Sequence, residues 1–99
     1  AEAHMRLHAA ELAIREASWR FDGGLPCGEA ANTAKFLAAE AAFFACDRAM
    51  QTHGGMGYAR EYHVERYWRE ARLMKIAPVS QEMVLNYIAS NVLRLPKSY

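Results

Sequence analysis

Hydrophobic and polar side chains follow helical spacing through most of this chain. Between residues 2 and 21, apolar side chains recur at alternating intervals of three and four, which predicts an amphipathic helix. Asp22 and the two glycines after it end this helix, and a second helix is predicted from Glu29 to Thr52. The apolar stripes of the two helices are Leu7, Ala10, Ile14, Ala17 and Phe21, and Ala30, Ala34, Leu37, Ala41 and Phe44.

Two shorter helices are predicted in the second half. One covers about residues 60–74, with Glu65 spaced to pair with Arg69 one turn later. Pro78 then breaks the chain, and Ser80 is suited to be the N-cap of the last helix. These helices are predicted to bury Val64, Tyr67, Trp68 and Ala71, and Leu85, Ile88, Val92 and Leu95. No segment alternates with the period of a strand, so the predicted fold class is all-α, a helical bundle.

Both long helices carry a second apolar row on the opposite face. These rows are Met5, Leu12 and Trp19 on the first helix, and Phe36, Phe43 and Met50 on the second. Single exposed aromatic side chains are common and need no explanation. Two spaced rows on consecutive helices instead indicate that another subunit or further sequence covers them, because so few helices cannot cover all these faces. We therefore expect at least a homodimer.

Charge and composition exclude several classes of protein. Twelve basic against eleven acidic residues, with no basic stripe, make a nucleic-acid partner unexpected. No apolar run is long enough to span a membrane, and the charged start is unlike a signal peptide. The two cysteines match neither a metal site nor a disulfide framework. The predicted location is the cytoplasm, or the mitochondrial matrix in a eukaryote. The missing initiator Met fits a fragment or a processed chain.

Several side chains could carry chemistry, but each has a simpler structural explanation. His4, His8 and Glu11 are one turn apart and could face a metal, yet exposed histidines are far more common than ligands at this spacing. Cys27 has no basic neighbour that would activate its thiol. The Arg/Glu-rich third helix could bind an anion, although intrahelical ion pairs explain its charges. No metal site is predicted.

Three glycines in the segment "HGGMG" need a further explanation. Gly54 is well suited to end the second helix, and Gly55 follows it directly. A third glycine at Gly57 exceeds what a helix end requires. The segment is neither a GxGxxG after a strand nor a phosphate loop. Its glycines therefore indicate either that the chain simply turns here or that the backbone passes close to another group.

The surrounding stretch, "QTHGGMGYAREYHVERYWREARL" at residues 51–73, closely resembles a segment of the acyl-CoA dehydrogenase family. In that family it is written Gln-x-x-Gly-Gly-x-Gly-[Tyr/Phe], Glu-Tyr-x-Val-Glu-Arg and Arg-Asp-Ala-Arg. The matching residues are Gln51, Gly54, Gly55, Gly57, Tyr58, Glu61, Tyr62, Val64, Glu65, Arg66, Arg69, Ala71 and Arg72, with Glu70 in place of the usual Asp. The resemblance extends over residues 1–99, as one domain. It implies part of the family's C-terminal helical domain, without that domain's first helix and without the other two domains of the enzyme.

The resemblance implies FAD as the cofactor of the intact protein. By analogy with the family, Gln51 would hydrogen-bond the ADP part of the FAD, held mainly by a neighbouring subunit. The backbone of Thr52, His53, Gly54 and Gly55 would pass beside it. Contacts nearer the flavin are implied for Ser80, Gln81 and Glu82. Dimers and tetramers are expected, with acyl-CoA as substrate and a separate electron acceptor.

The catalytic base is not where the resemblance would place it. Many family members have Ile-Tyr-Glu-Gly-Thr-x-Glu where this chain has "IAPVSQE", at residues 76–82, so Pro78 occupies the position of the usual Glu. Proline cannot titrate, and Val79 and Ser90 replace a family Gly and a family Arg. The catalytic residue is therefore unknown, and it is expected in the domain's first helix or is missing.

Three functions remain compatible with these residues. The favoured one is the C-terminal part of an acyl-CoA dehydrogenase that oxidises the Cα–Cβ bond of an acyl-CoA thioester to the 2-enoyl-CoA. The others are a flavin oxidase or monooxygenase of the same fold, and a non-catalytic interaction module derived from the family. The 99-residue chain alone is expected neither to be active nor to bind FAD measurably.

Overall fold

The computed structural model describes residues 1–97 and confirms an all-α fold, with no strand among them. Two long helices are followed by shorter helical segments. They are α1 (Glu2–Asp22), α2 (Gly28–His53), α3 (Gly55–Tyr58), a 3₁₀ turn (Arg60–Tyr62), α4 (Val64–Leu73), α5 (Gln81–Tyr87) and a π-helical segment (Ile88–Val92). No helix of the described residues is long and apolar enough to cross a membrane.

Helices α1 and α2 form an antiparallel pair that packs through alanines. The guanidinium carbon of Arg6, near the start of α1, lies 4.0 Å from the ring centre of Phe44, late in α2. The buried side chains of the pair are small, so the two backbones can approach closely. They are Ala10 on α1 and Ala30, Ala34, Ala39 and Ala41 on α2. The predicted stripe of α2 is therefore confirmed at its alanines, while Leu37 remains exposed.

The predicted stripe of α1 is wrong at its large side chains. Leu7, Ile14 and Phe21 are exposed, and only Ala10 is fully buried. Among residues 1–97, α1 packs only on α2 and presents its row of small residues to it. Leu12 and Trp19 on the second row are exposed as well, Trp19 at 64% of its surface.

The second apolar face of α2 is covered within the chain by α4 and α5. The Phe43 and Trp68 rings lie 5.4 Å apart, and Trp68 Nε1 donates a hydrogen bond to Asp47 Oδ1 at 3.2 Å. Phe36 and Met50 are half-buried. A second subunit is therefore not needed to cover this face, unlike the outer row of α1.

Helix α4 begins later than the sequence predicts. Residues 55–62 form two short helical turns, and His63 then has a φ of 57°, which a continuous helix cannot contain. The predicted ion pair between Glu65 and Arg69 is confirmed at 2.8 Å. Val64 and Ala71 are buried as predicted and Trp68 is half-buried, but Tyr67, also predicted to be packed, is exposed.

Helix α5 begins at the predicted cap but buries different residues. Ser80 Oγ accepts a hydrogen bond from the Met83 backbone N–H at 3.3 Å, which confirms the N-cap. Leu85 and Leu95 are exposed, contrary to prediction, whereas Gln81 and Val84 face the interior. The regular helix ends at Tyr87 and continues as π-helical residues to Val92, short of the predicted end near Pro96.

Candidate cofactor-binding site

The last turn of α2 presents Gln51, Thr52 and His53 at the surface. The Thr52 hydroxyl donates to the Arg48 carbonyl at 2.8 Å, and His53 Nδ1 lies 2.8 Å from the Ala49 carbonyl oxygen, to which it donates. Both side chains are therefore turned back onto their own helix. Within residues 1–97 the Gln51 amide has no hydrogen-bond partner, so both its donor and its acceptor face solvent.

The three glycines after this turn have three different physical reasons. Gly54 ends α2 with a φ of 60°, a conformation that side chains rarely adopt, as expected for a helix-ending glycine. A Cβ atom on Gly57 would lie 2.6 Å from the Met50 carbonyl oxygen, so this glycine lets α3 pack on the end of α2. A Cβ atom on Gly55 would meet no atom of the described residues within 4 Å. Packing within residues 1–97 therefore gives no reason for glycine at position 55.

Ser80 and Glu82 form a second polar group, at the start of α5. The Ser80 hydroxyl caps the helix, and Glu82 is exposed beside it. The Glu82 backbone N–H, the Ser80 hydroxyl and the charges of Arg72 and Lys35 together hold the pKa of the Glu82 carboxyl below its ordinary value. Glu82 is therefore an ionised acceptor at neutral pH.

Gln81, between these two residues, is turned into the chain. Its side chain is only 6% exposed, and Oε1 accepts a hydrogen bond from Lys35 Nζ at 2.6 Å. Its Nε2 donates to the Phe36 carbonyl oxygen at 3.2 Å and to Glu40 Oε1 at 3.1 Å. The structure does not present this amide to a cofactor at the surface.

Glu40 connects Gln81, at the start of α5, to Lys75, which lies where the turn before α5 begins. Lys75 Nζ lies 2.9 Å from Glu40 Oε1. Partial burial alone would raise the pKa of the Glu40 carboxyl, but hydrogen bonds from Lys75 and Gln81 and the charge of Lys75 outweigh it and lower the pKa. Lys35, Glu40, Lys75 and Gln81, called here the Gln81 network, connect α2 to both ends of the turn.

The Gln81 network was not predicted from the sequence. A signal was available, because Lys35 and Glu40 are the two charged residues in the otherwise apolar run at residues 34–46. Charges on the covered part of a helix are almost always paired. Their partners, 35 to 46 residues further along the chain, have no local signal.

The two groups of predicted site residues do not share one pocket. Eleven positions separate Glu40, beside Gln81, from Gln51, which corresponds to about 16 Å along α2. A cleft of 390 Å³ is lined by Ser80, Gln81 and Glu82 but by none of residues 51–55. A ligand that contacts both groups must be extended.

No suitable base lies in the turn where the family resemblance would place one. Pro78 is exposed and follows a cis peptide bond. The carboxylates nearest to it along α5 and across the cleft, Glu82 and Glu40, both have a lowered pKa. A general base works best with a pKa near the operating pH, so neither suits that task. No three His, Cys, Asp or Glu side chains within residues 1–97 could together hold a metal ion.

The family model described as acyl-CoA dehydrogenase, C-terminal domain, matches residues 1–93. The chain therefore belongs to the acyl-CoA dehydrogenase family, through the family's C-terminal domain, which confirms the resemblance seen in residues 51–73. The name of the family and the names of its relatives imply that its members are oxidoreductases that use a flavin.

Named relatives and a solved structure agree with this assignment. Acyl-CoA dehydrogenase FadE12 of Mycobacterium tuberculosis is 46% identical over 101 aligned residues, covering 100% of this chain and 26% of the relative. The 3-(aryl)acrylate reductase of Clostridium sporogenes is 37% identical over 89 residues, which cover 90% of this chain and 24% of the relative. One solved chain comes from a study of the electron transferring flavoprotein of Acidaminococcus fermentans and flavin-based electron bifurcation. It superposes with a TM-score of 0.89 at 29% sequence identity, and the match covers 94% of this chain and 24% of that chain. The chain thus spans about a quarter of the length of the relatives it matches.

Proposed function

We propose that this chain is the FAD-binding and oligomer-forming part of an acyl-CoA dehydrogenase. The intact enzyme oxidises the Cα–Cβ bond of an acyl-CoA thioester to the 2-enoyl-CoA, passes the electrons to a separate acceptor and works in the cytoplasm, or in the mitochondrial matrix of a eukaryote. The observation that carries this proposal is at Gly55, which no packing contact among residues 1–97 requires to be glycine and which follows the exposed Gln51, whose amide is unpaired among these residues. Both belong to the motif that matches the family.

The residues at the end of α2 fit a cofactor such as FAD. Gln51 offers one donor and one acceptor, and Gly55 leaves its surroundings open where a side chain would project. Ser80 and Glu82 add polar groups at the start of α5. In this proposal residues 51–55 hold the ADP part of the cofactor and residues 80 and 82 contact it nearer the flavin. FAD, when bound, supplies the acceptor for the hydride from Cβ.

The base that removes the Cα proton lies outside this chain in this proposal. Pro78 has no titratable group, and the lowered pKa of Glu82 makes that carboxylate a weak base. We place the base in the preceding part of the same domain, its first helix.

The outer face of α1 is proposed as an interface of the intact oligomer, a dimer or tetramer. Met5, Leu12 and Trp19 remain exposed on this helix, and Phe21 lies at its end. Covering a row of large apolar side chains removes area from water at roughly 25 cal/mol per Å². Packing against another subunit or against the rest of the protein supplies that cover.

A flavin oxidase or monooxygenase of the same fold is a second candidate. Pro78 in place of the usual Glu favours it, because the base of the dehydrogenase reaction is missing at that position. The fold and the cofactor segment would be unchanged.

The deciding experiment uses the intact protein that contains this domain. The purified protein is examined for its flavin spectrum, and then mixed with acyl-CoA thioesters under anaerobic conditions with an artificial electron acceptor. A stoichiometric flavin that is bleached by substrate, with an enoyl-CoA product, is the expected result. Rapid reoxidation of the reduced flavin by oxygen, with hydrogen peroxide or an oxygenated product, would instead support the second candidate, and a protein without flavin would contradict both.

A further inference from the structure

Gln81 is the one polar side chain that is buried among residues 1–97. Both ends of its amide are used, and all three hydrogen bonds go to α2, at Lys35, Phe36 and Glu40. Lys75, before the turn, binds the same Glu40 carboxylate. The residues on either side of the turn are thus held to one short section of α2.

Stability alone is a weak reason for such an arrangement. A satisfied buried hydrogen bond adds little net stability, since it replaces hydrogen bonds to water, and an apolar side chain of the same size often packs as well. Directed hydrogen bonds have an effect that apolar contact lacks. They fix both how deeply a helix lies on its neighbour and how it is rotated about its own axis. Three bonds from one amide determine how the first turn of α5 lies on α2.

The orientation of Gln81 determines that of its two neighbours. With Gln81 turned into the chain, Ser80 and Glu82 on either side are half-buried and exposed, respectively. Successive helical residues are rotated by about 100°, so a rotation of this turn would move both side chains together. These are two of the groups assigned to the cofactor in the proposed function.

Resting on that proposed function, we propose that Gln81 is a positioning residue for the flavin end of the cofactor. Its buried amide holds the first turn of α5 so that Ser80 and Glu82 reach the cofactor, while Gln81 itself does not contact it. Gln81 therefore acts on the flavin through its neighbours.

The test replaces Gln81 by Met in the intact FAD-containing protein. Methionine has a similar length but offers no amide, so the bonds to α2 are lost without a large cavity. We expect FAD to be retained, the visible absorption and circular dichroism bands of the flavin to shift, and kcat to fall by about tenfold or more with a smaller change in KM, because small misplacements are costly in catalysis. Met83→Gln is the matched control, since Met83 is exposed on the same helix and outside the Gln81 network. Its flavin bands and kcat should match the wild type.

A second variant keeps the test decisive if Gln81→Met does not fold. Lys35→Met removes the bond to Gln81 Oε1 from a half-buried position on α2, together with the positive charge that Lys35 places near Glu82, and should shift the flavin bands by less than Gln81→Met does. Lower thermal midpoints with wild-type flavin bands and wild-type kcat in the folded variants would show that Gln81 is merely structural. A wild-type protein without flavin would overturn the proposed function itself, and this inference with it.

Discussion

The three glycines near the end of α2 differ in backbone conformation and in the contacts that an added Cβ atom would make. Glycine is required at position 54 by its φ and at position 57 by the Met50 carbonyl, whereas no contact among residues 1–97 requires it at position 55. The sequence correctly predicted Gly54 as the end of the helix, because a glycine after a long helical run is a strong local signal. It could not separate Gly55 from Gly57, since the close approach at 57 arises only when α3 folds back.

Gly55→Val and Gly57→Ala should therefore have opposite effects in the intact protein. Gly55→Val should leave the free energy of unfolding within about 0.5 kcal/mol, as for most surface changes, yet lower the amount of FAD that survives gel filtration at low concentration. Gly57→Ala should lower the free energy of unfolding by about 1–3 kcal/mol through overpacking. Thermal denaturation and the flavin-to-protein ratio measure the two effects. Full flavin retention by Gly55→Val would refute the assignment of this loop.

Gln51→Ala should weaken FAD binding mildly. The unpaired Gln51 amide is proposed to make about one hydrogen bond with the cofactor, worth roughly 0.5–1.5 kcal/mol, or about two- to twelvefold in Kd. Titration of the FAD-free intact protein with FAD gives the ratio directly. An unchanged Kd would remove Gln51 from the site.

Glu82→Gln tests where the base lies. Since Glu82 is proposed to contact the cofactor and not to abstract a proton, flavin reduction by acyl-CoA should slow by less than about tenfold in the intact protein. Loss of a general base costs about 10² or more. Stopped-flow measurement of flavin bleaching gives the rate, and a loss of that larger size with FAD still bound would place the base in this chain.

At the scale of the elements, the helices that have clear sequence signals agree with prediction and the others do not. The bounds of α1 and α2 are within about one residue, because glycines and a loop mark them, and Ser80 is the N-cap as expected. The start of α4 was predicted about four residues too early, since nothing in the sequence marks the left-handed conformation of His63. The buried face of α5 is also different, because a rotation by one residue exchanges Leu85 for Val84 and tertiary contacts choose between them.

The attachment of α5 to α2 should weaken in acid. The pKa of Glu40 is lowered in the folded protein, so its ionised form contributes stability that is present above the ordinary value of 4.5 and is lost as the pH falls below it. Glu40→Gln should therefore lower the thermal midpoint at pH 7 and remove part of the loss between pH 7 and about pH 3.5. The pair is partly exposed, so the effect is at most about 1 kcal/mol. Identical pH profiles for wild type and variant would contradict this account.

At the scale of the whole molecule, the chain leaves one long helix half covered. Helix α2 is surrounded by α1, α4 and α5, but α1 has only α2 as a neighbour in the part of the chain that the structure describes. The two apolar faces of the first helix were visible in the sequence as two rows. Which helix would lack cover could not be predicted, because that depends on how the shorter helices fold back.

The 99-residue chain alone should consequently associate. At micromolar concentration, sedimentation equilibrium should give a mass above the monomer value of 11.2 kDa. The driving force is the burial of the exposed row on α1, which needs roughly 800 Å² per partner for a stable interface. A monomer with a cooperative thermal transition would contradict this prediction. FAD added to the same sample should not bind measurably.

The different surroundings of the two tryptophans give the molecule a built-in fluorescent label for each of its two apolar regions. Trp19 lies on the open face of α1, while Trp68 is packed against Phe43 and bonded to Asp47. A Trp68→Phe variant would leave Trp19 as the sole indole, and its emission should move to shorter wavelength whenever that face loses water to a neighbour. A Trp19→Phe variant would instead leave an emission that follows the separation of α4 from α2. Assembly and unfolding can thus be observed independently, without any added dye.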